Sequence, residues 1–317
     1  MKYANLDNEK IPSIALGTWS WGNGVNSGED IFGNNLTEED LRPVFEAAVN
    51  AGFNLWDTAA VYGMGASETI LGDFIKDQKN PIISTKFTPG VSEDTMEESL
   101  TQSLNRLGVD HTDIYWIHNP NDVNKWTSEL IPLMKNGSIK HAGVSNHNLE
   151  EVKLAASILE KEGLQLSAVQ NHYSLLYRSS EDAGIIDWCH QNNVLFFSYM
   201  VLEQGALTGK YNAQNPFQSG TRRGEAFNSE VLLKLENLIE VMKKIGDTHD
   251  ADPAQIAIAW AIAKGTVPIM GVTKSKHVDA AAEAVDLVLS EQEINDLETS
   301  AKATGVEIKG AWENRMQ

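Results

Sequence analysis

Short apolar runs alternate along the chain with longer amphipathic stretches. The runs Ile14–Thr18, Phe53–Asp57, Ile82–Phe87, Asp113–His118, Ile139–Val144, Ala168–Asn171, Val194–Tyr199 and Val267–Met270 are short and mostly rich in β-branched or aromatic residues. Bounded by Gly, Pro or Asn, they predict strands. Between them, apolar positions recur at helical spacing over Thr37–Ala51, Ser67–Lys76, Thr95–Leu107, Val123–Lys135, Leu149–Lys161, Glu181–Gln191, Ser229–Ile245 and Pro253–Ala263. Start and stop signals agree with this spacing. Thr37 with Asp40 forms an acidic variant of a capping box, Ser290 precedes a Glu-rich first turn, Pro253 suits a first helical position, and Gly52 follows the first helix as a C-terminal cap would.

Eight strand–helix alternations predict a (β/α)₈ barrel, the TIM-barrel form of the α/β class, as a single domain over residues 1–317. A doubly wound sheet would carry G-x-G-x-x-G after its first strand. Gly63-Met64-Gly65 instead meets Glu68 at the required third glycine, and Gly22-Asn23-Gly24 meets Ser27. A P-loop fails too, because the segment from Gly205 to Lys210 is one residue short and continues with Tyr211. One long irregular stretch, Tyr211–Phe227, follows the seventh strand, where barrels often assemble phosphate sites.

Composition narrows the partners. Among 317 residues, 25 Lys and Arg face 44 Asp and Glu, for a formal net charge of −19. A polyanion of this kind repels nucleic acid and anionic membranes. No apolar run approaches the roughly 18 residues a membrane span needs, and the N-terminus shows no cleavable leader pattern. The lone Cys189 has no disulfide or zinc partner within the chain and reads as a small buried apolar residue. These features predict a cytoplasmic protein.

In a barrel, chemistry gathers at the C-terminal ends of the strands. That filter leaves Asp57 and Tyr62 after the second predicted strand, Lys86 at the end of the third and His118 at the end of the fourth. Taken singly, these are a turn former, a packing residue, a solvated cation and a strand-end histidine; together on one rim they make a site. The acidic group Glu93, Asp94, Glu97 and Glu98 sits where a helix dipole accepts negative charge and calls for no metal. His141, His147 and His172 lack ligand-bearing neighbours and read as loop or surface residues.

The segment Phe53-Asn-Leu-Trp-Asp57-Thr-Ala-Ala-Val-Tyr62-Gly-Met-Gly-Ala-Ser67-Glu68 resembles the signature of the aldo-keto reductases. So do Ile83-Ser-Thr-Lys86, Ser103 to Asp110 with Tyr115-Trp-Ile-His118, Gly143-Val-Ser145-Asn146, Val169-Gln170-Asn-His-Tyr173-Ser-Leu, Gln204-Gly-Ala-Leu-Thr-Gly-Lys-Tyr211 and Pro268-Ile-Met-Gly271. The match runs in the family's order from about Ile14 to about Leu297.

The resemblance implies an NAD(P)H-dependent carbonyl reductase whose tetrad falls on Asp57, Tyr62, Lys86 and His118. Reducing a carbonyl requires hydride at carbon and a proton at oxygen. Tyr62 would donate the proton, its pKa lowered from about 10 by the Lys86 ammonium. Asp57 would hold the lysine, and His118 would orient the substrate oxygen. The resemblance further assigns Ser145, Asn146 and Gln170 to the nicotinamide carboxamide and Tyr199 to stacking on its ring. Gly17 and Thr18 would pass close to the cofactor, and Gly205, Lys210 and Arg222 would meet its pyrophosphate. Gly271, Thr273, Lys274 and His277 would form the last cofactor segment.

Two departures bear on this picture. Met200-Val201 stands where the family usually has Ser-Pro, and His277, Ala280 and Ala281 stand where Arg and a Glu-Asn pair are common. Thr273, Lys274 and Lys276 remain to meet a 2′-phosphate, so NADP(H) is preferred with NAD(H) allowed. Trp19, Trp21 and Asn119 are the candidate substrate-pocket residues. Other classes are a cofactor-binding sensor resembling potassium-channel β subunits, disfavoured by a start close to the first strand, and an aldolase-like barrel with Lys86 as Schiff-base nucleophile. The charge distribution favours a phosphate-bearing ligand. The window 205–228 is net +2 and the window 264–278 is net +3, although the chain is −19 overall.

Overall fold

In a computed structural model of the chain, which describes residues 1–91, 95–310, 312–314 and 316, eight parallel strands close into a barrel. An antiparallel hairpin, β1 (Tyr3–Leu6) and β2 (Glu9–Pro12), precedes them. The barrel strands are β3 (Ala15–Gly17), β4 (Leu55–Asp57), β5 (Ile82–Phe87), β6 (Thr112–Ile117), β7 (Ile139–Ser145), β8 (Leu166–His172), β9 (Leu195–Tyr199) and β10 (Val267–Gly271). Each lies beside its sequence neighbour, and β10 pairs with β3 to close the ring. The predicted fold class holds.

Alternation within the strands explains the two buried layers. On β6, Ile114 and Trp116 join the inner cluster with Leu55, Ala168, Phe197 and Val267, while Tyr115 and Ile117 join the outer one under the helices. Leu6 and Ile11 of the hairpin belong to the inner cluster, so β1 and β2 close the floor of the barrel. Asp7, in the hairpin turn, accepts from Ser167 Oγ at 2.8 Å and bonds His141 Nδ1 at 2.6 Å, pinning the hairpin to β7 and β8.

Most helices start where their caps predicted. Thr37 with Asp40 and Ser290 with Glu293 form capping boxes, and Pro253 opens its helix behind Asp252. Gly52 takes φ +84° just past the first helix, as read. The segment expected as one helix over 181–191 is two, Ser179–Asp182 and Ile185–Gln191, parted at Gly184 with φ +76°. The irregular stretch after β9 carries a short helix, Arg222–Ala226, and a bridge between Asn212 and Asn215. Glu97 and Glu98 lie in the first turn of Met96–Leu107, while Glu93 and Asp94 fall outside the described residues. Cys189 is fully buried, as expected. Among the described residues no helix is long and apolar enough to cross a membrane.

Register sets the level of the rim. Asp57 pairs with Gly17 on one side and Ser84 on the other; Lys86 pairs with Trp116, Ser145 with Gln170, and His172 with Tyr199. Polar residues that are far apart in sequence therefore end at one height, at the C-terminal mouth.

Candidate active site

At the base of the mouth, Lys86 Nζ lies 2.5 Å from Asp57 Oδ2 and 2.6 Å from the Thr58 carbonyl. Neither side chain of the pair is more than 5% exposed. The other Asp57 oxygen accepts from Ser84 Oγ at 2.6 Å and Gln170 Nε2 at 3.1 Å. Trp116 Nε1 donates to Ser84 Oγ at 2.6 Å, which seats that hydroxyl. Burial pulls Lys86 below the ordinary lysine range, and the Asp57 carboxylate offsets part of that effect.

Tyr62 follows β4 in a tight turn in which Gly63 and Met64 both take positive φ. Its ring stacks on Trp19 with centroids 6.0 Å apart and meets His118 edge-on at 5.9 Å. Lys86 Nζ lies 5.0 Å from the Tyr62 ring centroid, over the ring. The expected lowering of the Tyr62 pKa is reversed. Burial, first, and the Asp57 charge push the phenol well above its ordinary range.

His118 completes the group. Burial and the nearby Lys86 charge hold it well below the usual imidazole range, so it is neutral. Its Nδ1 lies 2.8 Å from Thr88 Oγ1, and its carbonyl accepts from Asn146 Nδ2 at 2.9 Å. Thr88 was not singled out from the sequence. The signal was there, because Ser84, Lys86 and Thr88 share one parity on β5 and just beyond it.

A cavity of about 970 Å³ opens above these residues and is lined by Asp57, Tyr62 and His118, while Lys86 lies sealed behind Asp57. Gly17, Ser145, Asn146, Gln170 and Tyr199 line its wall. Gly205, Lys210, Arg222, Gly271, Thr273, Lys274 and His277 line it too, Gly271 beside Gly17 on the rim and Arg222 over the Trp312 ring at 6.0 Å. Thr18 does not reach it: buried, it bonds the Asp57 carbonyl and Ser67, tying strand ends together. Trp19 and Asn119 line the cavity, but Trp21 does not. Trp21 is fully buried against Trp56 and Phe74, its indole bonded to the Val272 carbonyl at 2.8 Å, and is therefore a core residue.

Asp57 and Asp252 line the cavity, but most of its charged lining is cationic. Among the described residues, no carboxylate lies within 4.0 Å of Lys210, Arg223, Lys274 or Lys276, all of which line the cavity. Arg223 bonds the carbonyls of Phe32 and Gln204 at 2.8 and 3.3 Å, and its buried Nε has no partner. Burial and the charges of Lys276, Lys274 and Lys210 lower the His277 pKa.

Two features were invisible in the sequence. The C-terminal tail lays Trp312 edge-on against Trp19, with centroids 5.8 Å apart, and sends Glu313 to Tyr199 Oη at 3.0 Å. The histidines read as loop or surface residues are buried: His141 bonds Asp7, His147 bonds the Ser145 carbonyl at 2.7 Å, and His172 lies between Glu203 and Glu313. Their partners lie on other elements, which local sequence does not show.

Comparison with known proteins gives a consistent picture. The model of the aldo/keto reductase family matches residues 13–302. An uncharacterized oxidoreductase of Mycobacterium tuberculosis is 31% identical over 96% of this chain and 94% of its own length. The chloroplastic pyridoxal reductase of Arabidopsis thaliana is 30% identical over 92% of this chain and 84% of its own. An aldo-keto reductase of Schizosaccharomyces pombe, whose name specifies NADP(+), is 27% identical over 92% and 89%. Among solved structures, the thermostable aldo-keto reductase Tm1743 in complex with epalrestat superposes with a TM-score of 0.78 at 26% identity, covering 95% of this chain and 100% of that one.

Proposed function

The chain belongs to the aldo/keto reductase family, and on that premise we propose that it reduces aldehydes or ketones to alcohols with NADP(H), as one barrel domain, through Asp57, Tyr62, Lys86 and His118. The observation that carries this reading is the sealed Lys86–Asp57 pair beneath Tyr62, with a neutral His118 facing the same cavity.

The nicotinamide, when bound, supplies the hydride. The cavity fits such a group, because Tyr62 and His118 share its lining with Lys210, Arg223, Lys274 and Lys276, cations without carboxylate partners among the described residues, and one buried Arg223 nitrogen is unbonded. Ser145, Asn146, Gln170 and Tyr199 would hold the nicotinamide end. Gly17, Gly205, Lys210, Arg222 and Gly271 would lie along the rest. Thr273, Lys274 and His277 would take the phosphate-bearing end, a role for which lysine serves as a point charge. Preference for NADP over NAD rests on Lys274 and Lys276, and is consistent with the name of the yeast relative.

The remaining steps belong to the protein. Tyr62 keeps its proton until the carbonyl oxygen gains negative charge, because burial and Asp57 disfavour free phenolate. Lys86, close to the ring, stabilises the phenolate that proton transfer leaves, and Asp57 fixes the lysine. His118, neutral and bonded at Nδ1, can present an Nε2 hydrogen to the substrate oxygen. Trp19, Asn119 and Trp312 line the space left for the rest of the substrate. The test is titration of tryptophan fluorescence with NADPH and NADH, followed by carbonyl reduction by wild type and Tyr62→Phe. Saturable NADPH binding with turnover that drops about 100-fold or more in the variant is expected; reduction at an unaltered rate overturns the mechanism.

A further inference from the structure

Behind Tyr199 lies a buried charged cluster that hydride and proton delivery do not by themselves require. His172 stacks on Tyr199 with centroids 5.5 Å apart and planes at 24°, and on Tyr177 at 4.3 Å and 25°. Its Nε2 lies 2.9 Å from Glu203 Oε1, and its Nδ1 lies 3.1 Å from both Glu313 oxygens. None of the three side chains is exposed. Burial opposes a charge on His172, but Glu203 and Glu313 outweigh it and push its pKa up to about 10. Glu203 reaches this position with φ +48°, a conformation uncommon for a residue other than glycine, so the carboxylate is brought inward despite local strain. Its Oε2 is buried without a hydrogen-bond partner.

Two carboxylates facing one imidazolium leave a formal charge of −1. A buried unbalanced charge is costly unless an opposite charge comes near it. Among the described residues the cluster bonds or stacks on Ser174, Tyr199 and Tyr177 and, through Tyr199, on Asn146 and Trp312, none of them cationic. Glu307 adds negative charge near Tyr177, and Arg222, over the Trp312 ring at 6.0 Å, is already faced by Asp30. Tyr199, however, also lines the cavity.

We propose that Glu313, His172 and Glu203 form a net-negative backing to the Tyr199 platform that selectively stabilises a positively charged ring in the cavity beside it, and so strengthens binding of oxidised nicotinamide relative to reduced. The inference rests on the cofactor reading above. Oxidised nicotinamide is a cation and the reduced ring is neutral, so the backing acts on one state and not the other. The same field assists hydride loss, during which that positive charge develops. The three residues act through Tyr199 and are positioning residues. Two unit charges about 10 Å apart at an effective dielectric near 20 alter a binding constant on the order of tenfold.

The experiment measures dissociation constants of NADP⁺ and NADPH at pH 7 for the full-length wild type, Glu313→Gln and Glu203→Gln. Each substitution removes one negative charge with little change of shape. The expected result is a rise in the ratio Kd(NADP⁺)/Kd(NADPH) on the order of tenfold in Glu313→Gln, with a rise in the same direction in Glu203→Gln, which serves if the first variant folds poorly. An unchanged ratio overturns the inference, and so does weakening of both nucleotides by one factor, which marks a purely mechanical prop. Wild type that binds neither nucleotide instead overturns the cofactor reading on which the inference stands.

Discussion

Thr88 Oγ1 lies 2.8 Å from His118 Nδ1, and this contact governs which nitrogen of a neutral imidazole carries the proton. A hydroxyl that donates to Nδ1 leaves the hydrogen on Nε2, where a substrate oxygen can use it. Thr88→Val is expected to lower kcat about tenfold, in line with about 1–1.5 kcal/mol for a lost oriented hydrogen bond, without altering NADPH affinity. Thr88→Ser should restore most of the activity. Steady-state kinetics with a cofactor titration check both, and wild-type turnover in the valine variant would remove Thr88 from the mechanism.

Asp57 is the counter-charge to a lysine with no solvent access. Replacing it by Asn leaves Lys86 buried and charged, or forces it neutral. Either way the fold should lose about 3–5 kcal/mol, read as a fall in the urea midpoint, along with most of the carbonyl reductase activity. A variant of wild-type stability would mean that the pair is solvated in a way its geometry does not suggest.

Gly143 on β7 faces the Trp116 ring so closely that an added Cβ would sit 2.2 Å from Trp116 Cε3. Trp116 cannot easily retreat, because its Nε1 is bonded to Ser84 and its ring packs on Phe197. Gly143→Ala is therefore expected to destabilise by about 1–3 kcal/mol or more and to disturb the Ser84–Asp57 contact. Thermal unfolding measures the first effect; loss of activity in whatever fraction stays folded measures the second.

His172 makes stability depend on alkaline pH. Its pKa of about 10 in the folded protein exceeds the value of about 6.5 in an unfolded chain. Between these values the folded state holds a proton that the unfolded state lacks, so stability falls as pH rises. The contribution is complete below about 6.5 and lost through about 10. Wild type should show a lower urea midpoint at pH 9.5 than at pH 7, and His172→Gln a flatter profile. Parallel profiles would show that other groups set the slope.

The closed barrel was legible because strands buried on both faces write continuous apolar runs, and the intervening helices keep strong periodicity and capping signals. Four-residue strands such as Tyr3–Leu6 and Glu9–Pro12 were not, since their burial involves only a few positions. Four rim residues could be named from strand ends alone, but their electrostatics could not. The direction of the Tyr62 shift is set by how deeply the ring is buried and by the Asp57 charge beside it, and burial depth leaves no mark in the local sequence. Trp21 was misplaced for a similar reason: its neighbours Trp56 and Phe74 come from other elements. His172 finds its carboxylates 31 and 141 positions away. Thr88, by contrast, could have been found by extending the parity of Ser84 and Lys86.

The floor of the barrel has a consequence for the order of synthesis. Asp7 meets His141 and Ser167, which follow it by 134 and 160 positions. At ordinary translation speeds these partners emerge on the order of ten seconds after the hairpin does. That early segment is thus among the last to be fully seated, because Ala168, Phe197 and Val267 of the inner cluster that Leu6 and Ile11 enter are made long after it. The nascent chain must keep that small apolar surface from other contacts while the ring that receives it is still being made.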